Sequence, residues 1–319
     1  MPRFSQLSAA LLILLGVELL VLGAGGFWLV ERGSWSATLW LAVAATWVLG
    51  FPLLITINSF WATRRRPHHP PRPAEHQIGI WGFLRMLLAE SWAMTRAYQL
   101  WFRFHTHVVG TPCKLLDGRG RTPVILIHGF LCTHGHWMRF ARALQADGSG
   151  PIFALTLEPV FGSIDRYAEQ LKAVVEAVCR ETGAAKVALI GHSMGGLVIR
   201  AYAHRLDGGA RIAAAVTLGS PHHGTKINNQ VRALGENLHQ MGWQSDWLRA
   251  LAEFEARPFP APIASVMTPH DNIVVPQSSA HLDYPNAKNI VLPGLGHMEL
   301  VVSPQVFRET MKLLREAAI

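Results

Sequence analysis

Cysteine is scarce: Cys113, Cys132 and Cys179 are the only three in 319 residues, and they are scattered. Such a set excludes a disulfide framework and a zinc site, and the odd count fits a reducing compartment. Charge is sparse as well, at 16% of residues against 50% hydrophobic. Disorder would need fewer apolar side chains and more charge, so the chain folds. Acidic residues are the rarer sign, 21 against 29 Lys and Arg, for a formal net charge of +8. Much of the excess sits at one end, where residues 1–106 hold nine basic and four acidic side chains. That placement suits a membrane surface and argues against a nucleic-acid patch. From Thr122 onward no internal repeat or low-complexity tract occurs, and no motif calls for an organic cofactor or a metal.

Long apolar runs, by contrast, dominate the N-terminal end. Leu7 to Val30 contains one charge, Glu18, and Trp35 to Trp61 contains none. About 20 apolar residues cross a hydrocarbon core, so residues 1–62 are expected to form a two-span hairpin. A signal peptide would carry an apolar region of roughly 7–15 residues and no second span, although Gly23-Ala24-Gly25-Gly26 faintly resembles a cleavage site. Trp28, Trp35, Trp40 and Trp61 fall near the ends of the runs, where aromatic belts belong. Glu18 is expected to face Thr46 or another polar group on the second helix. Arg3 before the first run and Arg64, Arg65, Arg66 and Arg72 after the second outnumber Arg32 in the turn. Basic flanks stay inside, so the C-terminal part is expected on the cytoplasmic side of the cell membrane.

Residues 63–77 read as a basic, Pro-rich extended linker. Residues 78–110 interleave aromatics with Arg85, Arg96 and Arg103 and read as helix, lying on the bilayer or packing on the C-terminal domain. Residues 111–319 then alternate short apolar runs with amphipathic stretches. Strands are expected at Val124–Ile127, Ile152–Leu157, Lys186–Ile190, Ile212–Leu218, Ile263–Met267 and Asn289–Leu292. Helices are expected at Trp137–Ala146, Ile164–Thr182, Met194–Leu206 and Pro304–Ala317. Continuous apolar strands between helices imply a mostly parallel α/β sheet covered on both faces. In the insertion at 225–260, Val231, Leu234, Leu238, Trp243, Trp247, Leu248, Leu251 and Phe254 fall at near-helical spacing and suggest a cap or lid over the serine, either a fixed wall of the pocket or a lid in contact with lipid.

Gly191-His192-Ser193-Met194-Gly195-Gly196 joins an expected strand to an expected helix. A serine on such a turn stands above the sheet with its hydroxyl exposed, and the Met194 N–H at the helix start can hold an oxyanion. His128-Gly129-Phe130-Leu131 follows the first strand of this part, and the Phe130 N–H is the candidate second donor. A nucleophilic serine needs a base and a carboxylate to orient that base. Asp271 follows the fifth expected strand and His297 the sixth, which gives the order serine, acid, base. Asp283 is the rival acid. His128, Gly129, Leu131 and His192 are expected to line the substrate site. The adjacent His222 and His223 read as loop packing and not as metal ligands. Cys132 reads as a small buried apolar residue.

The segments Val124–Phe130, Gly191–Gly196 and Leu218-Gly219-Ser220-Pro221-His222-His223-Gly224-Thr225 resemble bacterial triacylglycerol lipases of the α/β-hydrolase superfamily. The resemblance spans roughly residues 120–300. It implies an α/β-hydrolase fold, a Ser193–Asp271–His297 triad, oxyanion donors at Phe130 and Met194, and long-chain acyl esters as substrates. It departs from the family's usual secreted habit in beginning with the apolar hairpin. Acyl transfer to another acceptor, thioester cleavage, head-group hydrolysis, or a catalytically idle binding module would use the same fold.

Overall fold

The computed structural model describes residues 5–64, 73–102, 111–118, 122–227, 232–317 and 319. The arginine run from Arg65 to Arg72, residues 103–110 with Arg103, the N-terminal Arg3, and Val231 lie outside them.

Two helices open the chain, α1 Gln6–Glu31 and α2 Ala37–Thr63, both long and apolar enough to cross a membrane. At 1.5 Å per residue each extends roughly 40 Å. Their flanks expose Ile13, Leu20, Phe27, Leu41 and Leu54. Ser5 and Ser36 cap the two N-termini, their hydroxyls accepting from the N–H groups of Ser8 and Leu39. Trp40 Nε1 donates to Leu22 O across the hairpin at 2.6 Å. A Cβ on Gly26 would lie 1.7 Å from that indole, so the glycine run is where the helices approach. Thr46 gives its hydroxyl proton to Ala42 O in its own helix at 2.8 Å.

Next comes α3, Ile80–Arg96, continued by a wider turn through Ala97–Trp101. One face packs against the C-terminal domain: Ala93, Ala97 and Phe102 join a core cluster with Val124, Leu126 and Trp137. The opposite face leaves Trp81, Leu88 and Trp92 exposed.

The sheet has seven strands in the order β1-β3-β2-β4-β5-β6-β7. They are β1 Cys113–Leu116, β2 Val124–Ile127, β3 Ile152–Leu155, β4 Val187–His192, β5 Ile212–Leu218, β6 Ile263–Met267 and β7 Ala287–Val291. Only β1 runs antiparallel, against β3. It was not expected, because a half-buried edge strand with an exposed Lys114 lacks an apolar run. The helices are α4 Met138–Ala146, α5 Ile164–Thr182, α6 Met194–Arg205, α7 Glu236–Gln240, α8 Asp246–Ala252 and α9 Pro304–Glu316. Successive strand residues alternate between faces, and both faces are covered. Ile125, Ile127, Phe153 and Leu189 meet α5 and α6 on one side. Val124, Leu126, Ile152 and Ile190 meet α3, α4 and α9 on the other.

In the insertion at 225–260, part of the apolar set packs inward. Leu238, Leu248 and Leu251 are buried in the same cluster as α5 and α6. Polar ties add to this: Gln240 Oε1 accepts from Ile164 N at 2.6 Å, and Trp247 Nε1 donates to Asp165 Oδ2 at 2.7 Å. Part of the apolar spacing in this cap segment thus forms a core face. Leu234 alone of the described leucines there stays exposed. Truncating Leu251 to Ala should therefore cost about 2–5 kcal/mol in chemical denaturation, whereas Leu234→Ser should stay within about 0.5 kcal/mol. A near-neutral Leu251→Ala would contradict this core placement.

Candidate active site

In an open parallel sheet, ligands bind beyond the carboxyl ends of the strands. Gly129, Ser193, Asp271 and His297 all follow such ends, after β2, β4, β6 and β7. Between β4 and α6, Ser193 takes φ +54 and ψ −124. A non-glycine residue held there costs roughly 1–3 kcal/mol and persists only where surroundings enforce it. One enforcing contact is Ser193 N, which donates to Leu218 O of β5 at 2.9 Å. Another is helix–strand proximity: a Cβ on Gly195 would lie 2.2 Å from Ile127 O. The Met194 N–H, in the first turn of α6, has no partner within its helix and carries the positive end of the dipole. The loop after β2 presses on the serine, since a Cβ on Gly129 would lie 2.8 Å from Ser193 Cβ. Phe130 is the next residue, and its ring meets Phe161 at 5.8 Å.

Asp271 and His297 are brought together. His297 Nδ1 and Asp271 Oδ2 are 2.7 Å apart, with both side chains buried. Asp271 Oδ1 accepts from Ile273 N at 2.8 Å and Val274 N at 2.7 Å, and His297 N donates to Asn272 Oδ1 at 3.0 Å. A proton on Nδ1 facing the carboxylate leaves Nε2 free to act as a base. Burial works against a charged imidazole, but the Asp271 charge and hydrogen bond, with the Glu90 carboxylate, raise its pKa above the ordinary value. The rival Asp283 is half exposed, 2.9 Å from His281 Nδ1, which leaves Asp271 as the candidate acid.

Two residues expected at the substrate site turn inward. Leu157 N donates to His128 Nε2 at 2.9 Å, so the His128 proton sits on Nδ1 and meets Gly129 O at 2.7 Å. His192 Nε2 donates to His297 O at 3.1 Å, and His192 Nδ1 then accepts from His136 Nε2 at 3.1 Å. Burial lowers the pKa of His128 to about 4 and of His136 to about 3, and holds His192 well below its ordinary value. These neutral rings brace backbone beside the serine and the base. Leu131, at φ +51, remains half exposed, and its carbonyl accepts from Tyr98 OH at 3.1 Å. His222 Nε2 pairs with Thr217 Oγ1 at 3.0 Å, while His223 faces Asp283 at 3.5 Å. The Cys132 thiol donates to Phe130 O, and burial pushes its pKa up to about 12. Among the described residues no group of three or more His, Cys, Asp or Glu could hold a metal ion.

Sequence reasoning missed the part of the site that comes from outside the α/β region. Glu90 of α3 accepts from Met298 N at 3.0 Å and Glu299 N at 2.8 Å, beside His297. One signal was available: Glu90 is the lone acidic residue between Ile78 and Val109. The roots of both long helices also reach this edge. Gln6 N donates to Glu158, and Gln6 Oε1 accepts from Val160 N at 3.4 Å. Asn272 Nδ2 donates to Ser59 Oγ of α2 at 2.8 Å.

Comparisons with known proteins agree on the fold. The family described as palmitoyl protein thioesterase matches residues 123–254. A triacylglycerol lipase of Pseudarthrobacter phenanthrenivorans is 37% identical over 124 residues, covering 35% of this chain and 37% of that protein. One from Vibrio cholerae is 33% identical over 135 residues, covering 39% and 42%. The chain thus spans less than half the length of these curated relatives. The mature form of a Bacillus licheniformis lipase superposes with a TM-score of 0.56 at 14% identity, covering 65% of this chain and 99% of that one. Lipase B of Aspergillus fumigatus gives 0.55 at 17% identity, covering 77% and 62%. The sheet-bearing part of the chain has the α/β-hydrolase fold.

The imidazole can be tested alone. By NMR, His297 should titrate above an ordinary histidine, and Asp271→Asn should move it down, because both effects of Asp271 favour the charged form. An unmoved pKa would transfer the acid role to another carboxylate.

Proposed function

We propose that this protein is a membrane-anchored serine ester hydrolase of the lipase type. The observation that carries the reading is the buried Asp271–His297 pair at the edge where a strained Ser193 stands. His297 Nε2 takes the Ser193 proton as Oγ attacks the ester carbonyl. Asp271 orients the ring and stabilises the imidazolium. The Phe130 and Met194 N–H groups receive the oxyanion. His297 returns the proton to the leaving alcohol, and a water activated by the same ring then releases the acyl group. The lipase relatives support an acyl-ester substrate.

Anchoring is supported by the two apolar helices, whose roots meet the Glu158–Val160 and Asn272 loops on the catalytic edge. An active site held beside the helix roots lies at the bilayer surface, within reach of esters in the leaflet. The excess of flanking arginines supports a cytoplasmic location for that surface.

A thioesterase reading is favoured by one observation, the family match across residues 123–254. That stretch contains Gly129, Phe130, Ser193 and Met194 but neither Asp271 nor His297, and the same machinery would open an S-acyl bond.

With full-length protein in vesicles, long-chain esters should be hydrolysed, and Ser193→Ala should lower kcat by about 10⁴- to 10⁶-fold without unfolding. Retained turnover in Ser193→Ala would remove the serine mechanism. A preference for S-acyl over O-acyl substrates of equal chain length would select the thioesterase reading. A C-terminal tag should resist protease in intact spheroplasts, and its digestion from outside would reverse the orientation.

A further inference from the structure

We propose that Glu90, on the helix between the second apolar helix and the hydrolase domain, is a positioning residue that holds the His297 turn in working geometry. The proposal rests on the serine-hydrolase reading.

The His297 turn is gripped on both sides of the base from α3. Ahead of it, Arg85 Nη2 donates to Gly294 O at 2.8 Å. Behind it, the two Glu90 carboxylate oxygens accept from Met298 N and Glu299 N, one each. Between these grips the contact is tight, for a Cβ on Gly296 would lie 2.5 Å from the Glu90 carboxyl. Glu299 closes the loop by accepting from Gly296 N at 3.3 Å, and Arg85 lies 3.8 Å from its carboxylate.

Glu90 is 0% exposed. A buried carboxylate is costly unless its oxygens are bonded, and an apolar residue would fill the same space at less cost. Packing alone therefore does not account for an acid at this position. Two successive backbone N–H groups directly after the base do, because a bidentate carboxylate fixes both at once. Burial raises the Glu90 pKa while the Met298 and Glu299 amides favour its ionised form, and in that form its charge faces the imidazole. The charged and titratable groups around His297 are Asp271 from the β6 loop, Glu90 from α3, and the neutral rings of His192 and His136. Glu90 itself faces His297 and Asp271, and it lies next to Glu299. Like Asp271, it favours the protonated ring, so its removal should make His297 easier to deprotonate.

Position in the chain adds a consequence. Phe83 of α3 meets Phe60 of α2 at 5.7 Å. The helix that grips the base thus packs on a helix of the hairpin, so the catalytic turn and the anchor share one support.

The test uses full-length protein in vesicles, with kcat and KM followed against pH for a long-chain ester. Glu90→Gln keeps the shape but loses the charge and one good acceptor. It should lower kcat about ten- to hundredfold, since small misplacements of a catalytic group cost this much. KM should stay within about twofold, and the acid limb of kcat/KM should move to lower pH. Glu90→Asp, which keeps the charge on a shorter arm, should return the acid limb toward its original position while kcat stays low. If the Glu90 variants do not fold, Arg85→Ala is the substitute, because its side chain is 62% exposed. That variant should lower kcat severalfold with KM unchanged. Wild-type kcat with an unmoved acid limb in folded Glu90→Gln, or unchanged kcat in Arg85→Ala where Glu90 variants fail to fold, would overturn the proposal. Ser193→Ala separates the two failures. If it is inactive while Glu90→Gln behaves as wild type, only the positioning role falls; if it is active, the serine reading falls with it.

Discussion

A carboxylate and an imidazole buried together at 2.7 Å set the demands that the catalytic edge meets. Removing one partner of such a pair leaves an uncompensated buried charge, at a cost of about 3–5 kcal/mol. The loops around Asp271 and His297 are built to avoid that state. Asp271 spends its second oxygen on the Ile273 and Val274 amides, and Asn272 receives the His297 N–H. Gly219 passes below the pair, where a Cβ would lie 3.2 Å from Asp271 Oδ2. The residue before it, Leu218, accepts the N–H of Ser193. Fixing the Asp271–His297 pair and fixing the strained serine are thus one local problem, solved at the ends of adjacent strands β4, β5, β6 and β7.

Around this centre, burial keeps other titratable groups out of the chemistry. His128, His136 and His192 are neutral because desolvation outweighs every other influence on them, and each uses its nitrogens to hold backbone or another ring. Glu90 is pulled both ways. Burial raises its pKa, while the Met298 and Glu299 amides and His297 favour its ionised form. It arrives from α3, outside the residues that match known families. In the proposed reading, the helices that seat the protein on a membrane also complete its active site.

The parts of this structure legible in the sequence are those governed by local pattern. Ile263–Met267 reads as a strand because burial on both faces makes every residue apolar or small. Ser193 reads as a nucleophile candidate because glycines and a strand-to-helix change sit around it. β1 was illegible, since an edge strand carries no apolar run. The inward packing of the 236–252 stretch was not legible, because an apolar helical face looks alike whether it meets lipid, a substrate or the core, and Leu251 meets the core. The inward turns of His128 and His192 and the reach of Glu90 were hidden for a different reason. Their partners Leu157, His297 and Met298 lie far off in sequence, and only the fold brings them close.

The most direct measurement is the site of covalent capture. Full-length protein in vesicles would be treated with a long-chain alkyl fluorophosphonate, digested and mapped by mass spectrometry. A single adduct on Ser193, lost when Asp271 or His297 is replaced, is the result expected of a serine activated by that pair. An unmodified Ser193, or capture at another residue with Ser193 intact, would contradict it.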